Sequence, residues 1–260
     1  MTDRVDVLVV GGSVAGLRTA EALRRFSYPG TVTIHEAGDD LPYDRTTLSK
    51  KVLATDGHLA SVGLRSREDL DALGIELVLR SRAESLDASR RTVHLDDGRA
   101  IEYSTLVVAT GSGARELPDV PRTAVRYLRT LADAHRLRTA MDSARRAVVV
   151  GAGFIGSEVT SAMSARGIGT TVVEPAGHPL ARVLGNVVGA RLARLHEARG
   201  VRLLPGRAVI AIRDGGDGGA DGAQKQVVLD DGTTLCADLV VVGIGARPNT
   251  AWLDGSAVEV

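Results

Sequence analysis

The chain has 260 residues, 44% hydrophobic and 25% charged, the balance of an ordinary globular protein with room for about two domains. Its 32 basic and 32 acidic side chains cancel, so no net field draws it to nucleic acid or to an anionic membrane. A single cysteine, Cys236, excludes an internal disulfide, no apolar run reaches the ~18 residues of a membrane helix, and Met1-Thr2-Asp3-Arg4 leads into too short an apolar stretch for a signal peptide. A cytoplasmic location is expected.

In chain order, the elements are written twice. Val5 to Val10 is a β-branched run that stops at Gly11-Gly12-Ser13-Val14-Ala15-Gly16 and passes into Leu17 to Arg24: strand, glycine turn, amphipathic helix. Thr31 to Glu36 is a second strand ending in an acid. Short alternating strands flank Asp96-Asp97-Gly98, an Asp-Gly hairpin signal, and the half closes on Leu106 to Gly111, read as a buried strand ending in glycine. Ser112 to Arg146, with Pro118 and Pro121 and a helix over Thr130–Ala144, reads as the hinge between domains.

The same sequence of signals follows. Ala147 to Val150 runs into Gly151-Ala152-Gly153-Phe154-Ile155-Gly156 and a helix from Ser157, then a strand from Thr170 to Glu174, an Asp230-Asp231-Gly232 turn, and a closing strand from Leu239 to Gly245. Turn glycine and closing glycine stand 13 residues apart in both halves, Gly98 to Gly111 and Gly232 to Gly245. A glycine-rich insert, Asp214 to Gly222, reads as a flexible surface loop, and Cys236 as a buried structural thiol on a strand. The fold expected is α/β, two tandem Rossmann-like domains.

A pyrophosphate is held at the amino end of a helix, where free N–H groups and the positive dipole end face it. The three glycines of such a turn permit the tight bend, let backbone approach the phosphates, and let helix and strand pack closely. Gly151, Gly153 and Gly156 supply all three; Gly11 and Gly16 supply the first and third, with Ser13 in the second place. The Ser13 hydroxyl is a candidate donor to a phosphate oxygen. Glu36 and Glu174, 25 and 23 residues after their first glycines, are placed to bond ribose hydroxyls, and in the second half a carboxylate favours NADH because it repels a 2′-phosphate. Two nucleotide units in tandem suit two nucleotides that must meet, with FAD and NADH the pair that fits.

The motif order resembles the pyridine-nucleotide flavoprotein reductases, and specifically the NADH-dependent ferredoxin, rubredoxin and putidaredoxin reductases of oxygenase systems. The pieces that carry the resemblance are Leu41 to Lys50, Ala109-Thr110-Gly111, Tyr127 to Leu131, Gly153 to Glu158, and Gly243 to Asn249. It implies an FAD-binding domain over residues 1–112, an NADH-binding domain over 113–243, and a return to the FAD domain over 244–260. It implies FAD contacts at Gly11, Ser13, Val14, Ala15, Gly16, Glu36, Arg45, Lys50, Ala83, Ala109, Thr110, Gly111 and Arg129. NADH contacts are implied at Gly151, Gly153, Phe154, Ile155, Gly156, Glu158, Glu174, Gly243 and Gly245.

Lys50 and Glu158 are the implied catalytic pair, the lysine near the flavin ring and the glutamate beside the nicotinamide. A cation near the flavin stabilises the anionic reduced ring. On spacing alone Lys50 is equally an ordinary solvated lysine, and Glu158 a first-turn acid that favours the helix dipole. The family's Arg-Pro-Pro-Leu-Ser-Lys reads Arg45-Thr46-Thr47-Leu48-Ser49-Lys50 here, so the stiffening prolines are missing and the charged pair is kept.

Disulfide reductases need a close cysteine pair, and the peroxidase branch needs one cysteine after Pro42-Tyr43; this sequence has neither. The resemblance therefore implies that electrons leave the flavin directly for a small iron-sulfur carrier, ferredoxin-like or rubredoxin-like. It also implies a carboxy-terminal domain beyond Val260 that this chain does not include. Two other readings stand beside it: a non-catalytic dinucleotide-binding module, and a reductase of a small organic acceptor similar to the monodehydroascorbate reductases. No metal site is expected, and homo-oligomerisation is left open.

Overall fold

The computed structural model describes residues 2–53, 62–215 and 224–259. Its elements run β1 (Thr2–Val10), α1 (Val14–Arg25), β2 (Val32–His35), α2 (Arg67–Ala72), β3 (Glu76–Val78), β4 (Ala83–Asp87), β5 (Thr92–Leu95), β6 (Ala100–Val108) and β7 (Ser112–Ala114). After them come α3 (Leu131–Ser143), β8 (Arg146–Val150), α4 (Phe154–Ala165), β9 (Gly169–Glu174), α5 (Ala181–Glu197) and β10 (Arg202–Pro205). The chain ends with β11 (Val209–Asp214), β12 (Lys225–Leu229), β13 (Thr234–Ala237), β14 (Leu239–Val242) and β15 (Ala246–Pro248).

They form two compact units. The first comprises Met1–Asp44, Leu59–Gly113 and Arg247–Val260. Its six-stranded sheet has the order β3-β2-β1-β6-β5-β4, with the first four strands parallel and β5 and β4 added antiparallel. Successive strand residues face opposite sides. Val7 and Val9 of β1 therefore join Leu17, Val32, Ile34 and Leu70 on one side of the sheet, while Leu8 and Val10 join Leu86, Val93, Leu95 and Trp252 on the other. Burial on both faces is why β1 reads as a nearly unbroken apolar run.

The second unit comprises Arg45–His58 and Ala114–Ala246. Its parallel sheet, β10-β9-β8-β14, repeats the order of the first four strands of the first unit. A separate antiparallel meander, β11-β12-β13, packs Val227, Leu229 and Leu235 against Val148, Val150, Val173, Val240 and Val242 of that sheet. In the first unit the matching hairpin and closing strands are one continuous strand, β6. In the second they are split at Asp238, whose carboxylate accepts the N–H groups of Arg145 at 2.9 Å and Arg146 at 2.8 Å.

The duplicated strand, glycine turn and helix are present in both halves, and α3 forms where expected, with Thr130 as its cap. Two expectations are corrected. The first closing strand is not buried: Leu106 and Val107 are half-buried and Val108 is 43% exposed, whereas Leu239–Val242 are all buried. Cys236 is exposed, because β13 turns Leu235 and Ala237 inward and the alternation sends Thr234 and Cys236 to the solvent side. Most of the glycine-rich insert, residues 216–222, lies outside the described residues. Among the described residues no helix is long and apolar enough to cross a membrane.

Candidate dinucleotide sites and a lysine-carboxylate pair

Four of the described helices begin in one of two ways, while α5 starts at Leu180, which has a left-handed backbone and no side-chain cap. The starts of α2 and α3 are closed by capping boxes, Ser66 with Asp69 and Thr130 with Asp133, in which side chain and backbone satisfy each other's donors. At α1 and α4 the N-cap residues are Ser13 and Gly153, neither makes a side-chain capping bond, and no acid stands in the first turn. A helix start leaves up to four N–H groups without partners inside the helix, and the dipole adds positive charge there. Val14, Phe154 and Ile155 at these two starts are 42%, 55% and 38% exposed. Both ends lack a side-chain cap and a first-turn acid.

The glycines divide by what they serve. Gly11 and Gly151 have φ of 111° and 95°, and a Cβ at either would lie 2.2 or 2.5 Å from the carbonyl oxygen of Ala109 or Gly243. A Cβ at Gly16 or Gly156 would lie 1.9 or 2.0 Å from the carbonyl oxygen of Gly11 or Gly151. The fold itself requires these four. At Gly153 the nearest atom to a built Cβ is 3.9 Å away. Its backbone (φ −72°, ψ −169°) is almost that of Ser13 (φ −85°, ψ −162°), so a side chain is sterically allowed in both turns. The fold itself does not require a glycine at position 153.

The two acids make the same bonds. Glu36 accepts from the N–H of Gly12 at 2.6 Å and of Gly38 at 3.0 Å, and Glu174 from Ala152 at 2.7 Å and Ala176 at 2.8 Å. Each carboxylate thus ties the glycine turn to the loop after the neighbouring strand. Each of its oxygens keeps a second lone pair for a ribose hydroxyl.

In the first unit, Thr110 and Gly111 are clamped by Asn249. The Thr110 hydroxyl donates to the Asn249 carbonyl at 2.8 Å, the Asn249 side chain donates to the Thr110 carbonyl at 2.9 Å, and the Asn249 N–H donates to the Gly111 carbonyl at 2.9 Å. Ala109 extends β6 through its N–H to Val10. Ala83 sits in the core with Leu86, Leu95 and Trp252.

The second unit holds the charged pair. Arg45–Thr47 forms a 3₁₀ turn and Leu48–Val52 a π-helical turn, a local widening often found at functional sites. Leu48, Ser49 and Val52 are buried, while the Lys50 side chain is 57% exposed. Its Nζ lies 3.0 Å from Glu158 Oε1 and donates to the Thr46 carbonyl at 3.0 Å. The buried Ser49 hydroxyl donates to Glu158 Oε2. Glu158 is fifth in α4, one turn past the helix start, where the sequence suggested a first-turn acid. Arg45 Nη1 donates to the Arg129 carbonyl at 3.3 Å, and Arg129 donates its N–H to the capping Asp133 at 3.1 Å. Gly243 and Gly245 follow β14, the former facing Gly151 and the latter accepting the N–H of Arg115 at 3.0 Å.

Ser49 and Asn249 were not singled out in the sequence, although both lie inside the motifs that carry the resemblance. Their partners are 109 and 139 residues away, beyond any local signal. Among the described residues no group of three or more His, Cys, Asp or Glu side chains is placed to hold a metal ion.

Two Rossmann-type units, each with a glycine turn feeding an uncapped helix and an acid closing the next strand, define a tandem dinucleotide-binding protein. The chain belongs to the pyridine nucleotide-disulphide oxidoreductase family, whose sequence profile matches residues 5–260. It is 38% identical over 255 residues to the ferredoxin--NAD(+) reductase component of the anthranilate 1,2-dioxygenase system of Burkholderia cepacia, covering 97% of this chain and 61% of that one. A ferredoxin reductase structure from Rhodopseudomonas palustris superposes with a TM-score of 0.90 at 36% identity, covering all of this chain and 63% of that one. A covalent putidaredoxin reductase-putidaredoxin complex gives 0.91 at 33% identity, covering 99% and 62%. The chain therefore spans about 60% of the length of the relatives it matches.

Proposed function

We propose that the protein is a flavin-dependent NADH reductase, with FAD held in the first unit and NADH in the second, that passes single electrons to a small iron-sulfur carrier. The observation that carries this reading is the pair of uncapped helix starts at duplicated glycine turns, each followed by a strand that ends in an acid bonded back to the turn. The names of the relatives, reductases of ferredoxin and putidaredoxin, supply the class of acceptor.

In this reading the α1 and α4 amides neutralise the two pyrophosphates, and Glu36 and Glu174 orient the adenosine riboses. Glu174 also selects NADH, since its carboxylate opposes a 2′-phosphate. FAD, when bound, accepts hydride from NADH and releases the electrons one at a time. Lys50 supplies the cation that offsets the negative charge gained by the reduced ring, and Glu158 holds that ammonium in place through the 3.0 Å contact. Cys236, exposed on β13, has no second cysteine to form a redox disulfide, which leaves direct transfer from flavin to carrier.

The test is reconstitution. Protein purified with added FAD is expected to be yellow, to bleach anaerobically with NADH, and to recolour when an oxidised ferredoxin is added. A protein that binds NADH but cannot be loaded with FAD under any of these conditions overturns the reading in favour of a binding module. Bleaching by NADH with turnover only on quinones or ascorbyl radical would move the acceptor to the small organic class.

A further inference from the structure

We propose that Ser49 is a positioning residue: its hydroxyl holds one oxygen of Glu158, so that the other alone meets Lys50 and one ammonium proton stays uncommitted and exposed. This rests on the proposed use of Lys50 beside the flavin. Ser49 is 3% exposed, and a buried hydroxyl is retained where it has a definite partner. Its partner is a carboxylate oxygen, and hydroxyl-to-carboxylate bonds are among the stronger ones.

An ammonium group has three donors. At Lys50 one is directed to Glu158 Oε1 and one to the Thr46 carbonyl. Were both carboxylate oxygens available, the ammonium could chelate them and spend its third donor on the same partner. Ser49 turns Oε2 toward its own hydroxyl and so disfavours that chelation. Consecutive residues of one π-helical turn, 49 and 50, therefore grip the two oxygens of a single side chain on α4 and fix its rotamer.

The chain has only three lysines, Lys50, Lys51 and Lys225, which permits a readout that needs neither cofactor nor turnover. Lys225, ion-paired with Asp214 on the antiparallel meander, is the internal reference. Limiting acetic anhydride followed by peptide mass spectrometry gives the ratio of Lys50 to Lys225 acetylation. Ser49→Ala is expected to change this ratio by about threefold, the size of one modest hydrogen bond, and Ser49→Thr to restore it. In FAD-loaded protein, Ser49→Ala is expected to slow flavin reduction at saturating NADH by about tenfold with NADH affinity within about twofold, a split that general loosening would not produce. Should Ser49→Ala not fold, Ser49→Cys keeps the volume with a weak donor and is read in the same way.

A ratio unchanged in a folded variant lacking the hydroxyl overturns this inference. A changed ratio with an unchanged flavin-reduction rate keeps the hold of Ser49 on the pair and overturns the proposed use of Lys50.

Discussion

Gly153 and Gly156 stand three residues apart in one turn, and the fold asks different things of them. A Cβ on Gly156 would lie 2.0 Å from a backbone oxygen that has no freedom to move, so Gly156→Ala is expected to destabilise by at least about 1–3 kcal/mol in urea melts. A Cβ on Gly153 meets nothing closer than an ordinary van der Waals contact, so Gly153→Ala is expected to leave stability within about 0.5 kcal/mol and still to weaken NADH binding about tenfold, because the methyl occupies the approach of the pyrophosphate. Calorimetric titration checks the second half; unaltered NADH affinity would remove the ligand from that space. Lys50 is the other residue whose role separates from the fold. Being 57% exposed, it can be replaced by methionine with little cost in stability, and Lys50→Met is expected to slow anaerobic flavin reduction about a hundredfold while NADH affinity changes little. An unchanged reduction rate returns it to the class of solvated surface lysines.

Among the helix starts, α3 shows the closed kind. Asp133, 6% exposed, is pushed up by burial but pulled further down by the Thr130 N–H and hydroxyl, the Arg136 guanidinium and the Arg129 N–H, so its carboxyl titrates below the ordinary range. A carboxylate depressed in the folded state stabilises fully above its unfolded value and loses that contribution as pH falls through its lower folded value. Asp133→Ala is therefore expected to cost about 1 kcal/mol at neutral pH, with the gap to the parent closing below about pH 4. Urea melts at both pH values measure it, and a gap independent of pH would mean that the cap acts without its charge. The capping pattern Thr130-Leu131-Ala132-Asp133 is local, and so are the glycine turns and the Asp-Gly hairpins, which is why these elements were readable in the sequence. What escaped it was set at long range. The phase of β13 decides that Cys236 points outward, Asp238 decides that the second closing strand breaks away from its hairpin, and the partners of Ser49 and Asn249 come from the far side of the chain.

At the scale of the whole molecule, duplication with one asymmetry makes the sharpest claim. Both units share the four-strand parallel order, the uncapped helix and the carboxylate that ties down the glycine turn, yet one turn carries Ser13 where the other carries Gly153. If the duplication serves two different nucleotides, the two sites must fail separately. A ligand that binds only the folded state stabilises it by about 2.7 kcal/mol at a hundredfold excess over its dissociation constant, enough to move a melting curve visibly. Gly153→Ala is expected to lose much of the NADH-dependent rise in melting temperature and keep the FAD-dependent rise. Ser13→Leu, which enlarges the matching position, is expected to do the reverse. The net charge of zero helps here, because neither substitution alters it and a change in long-range field cannot account for the outcome. Loss of both ligand effects from either single substitution would mean that the halves do not hold separate nucleotides, and the reading of the tandem repeat as a two-nucleotide device would fall with it.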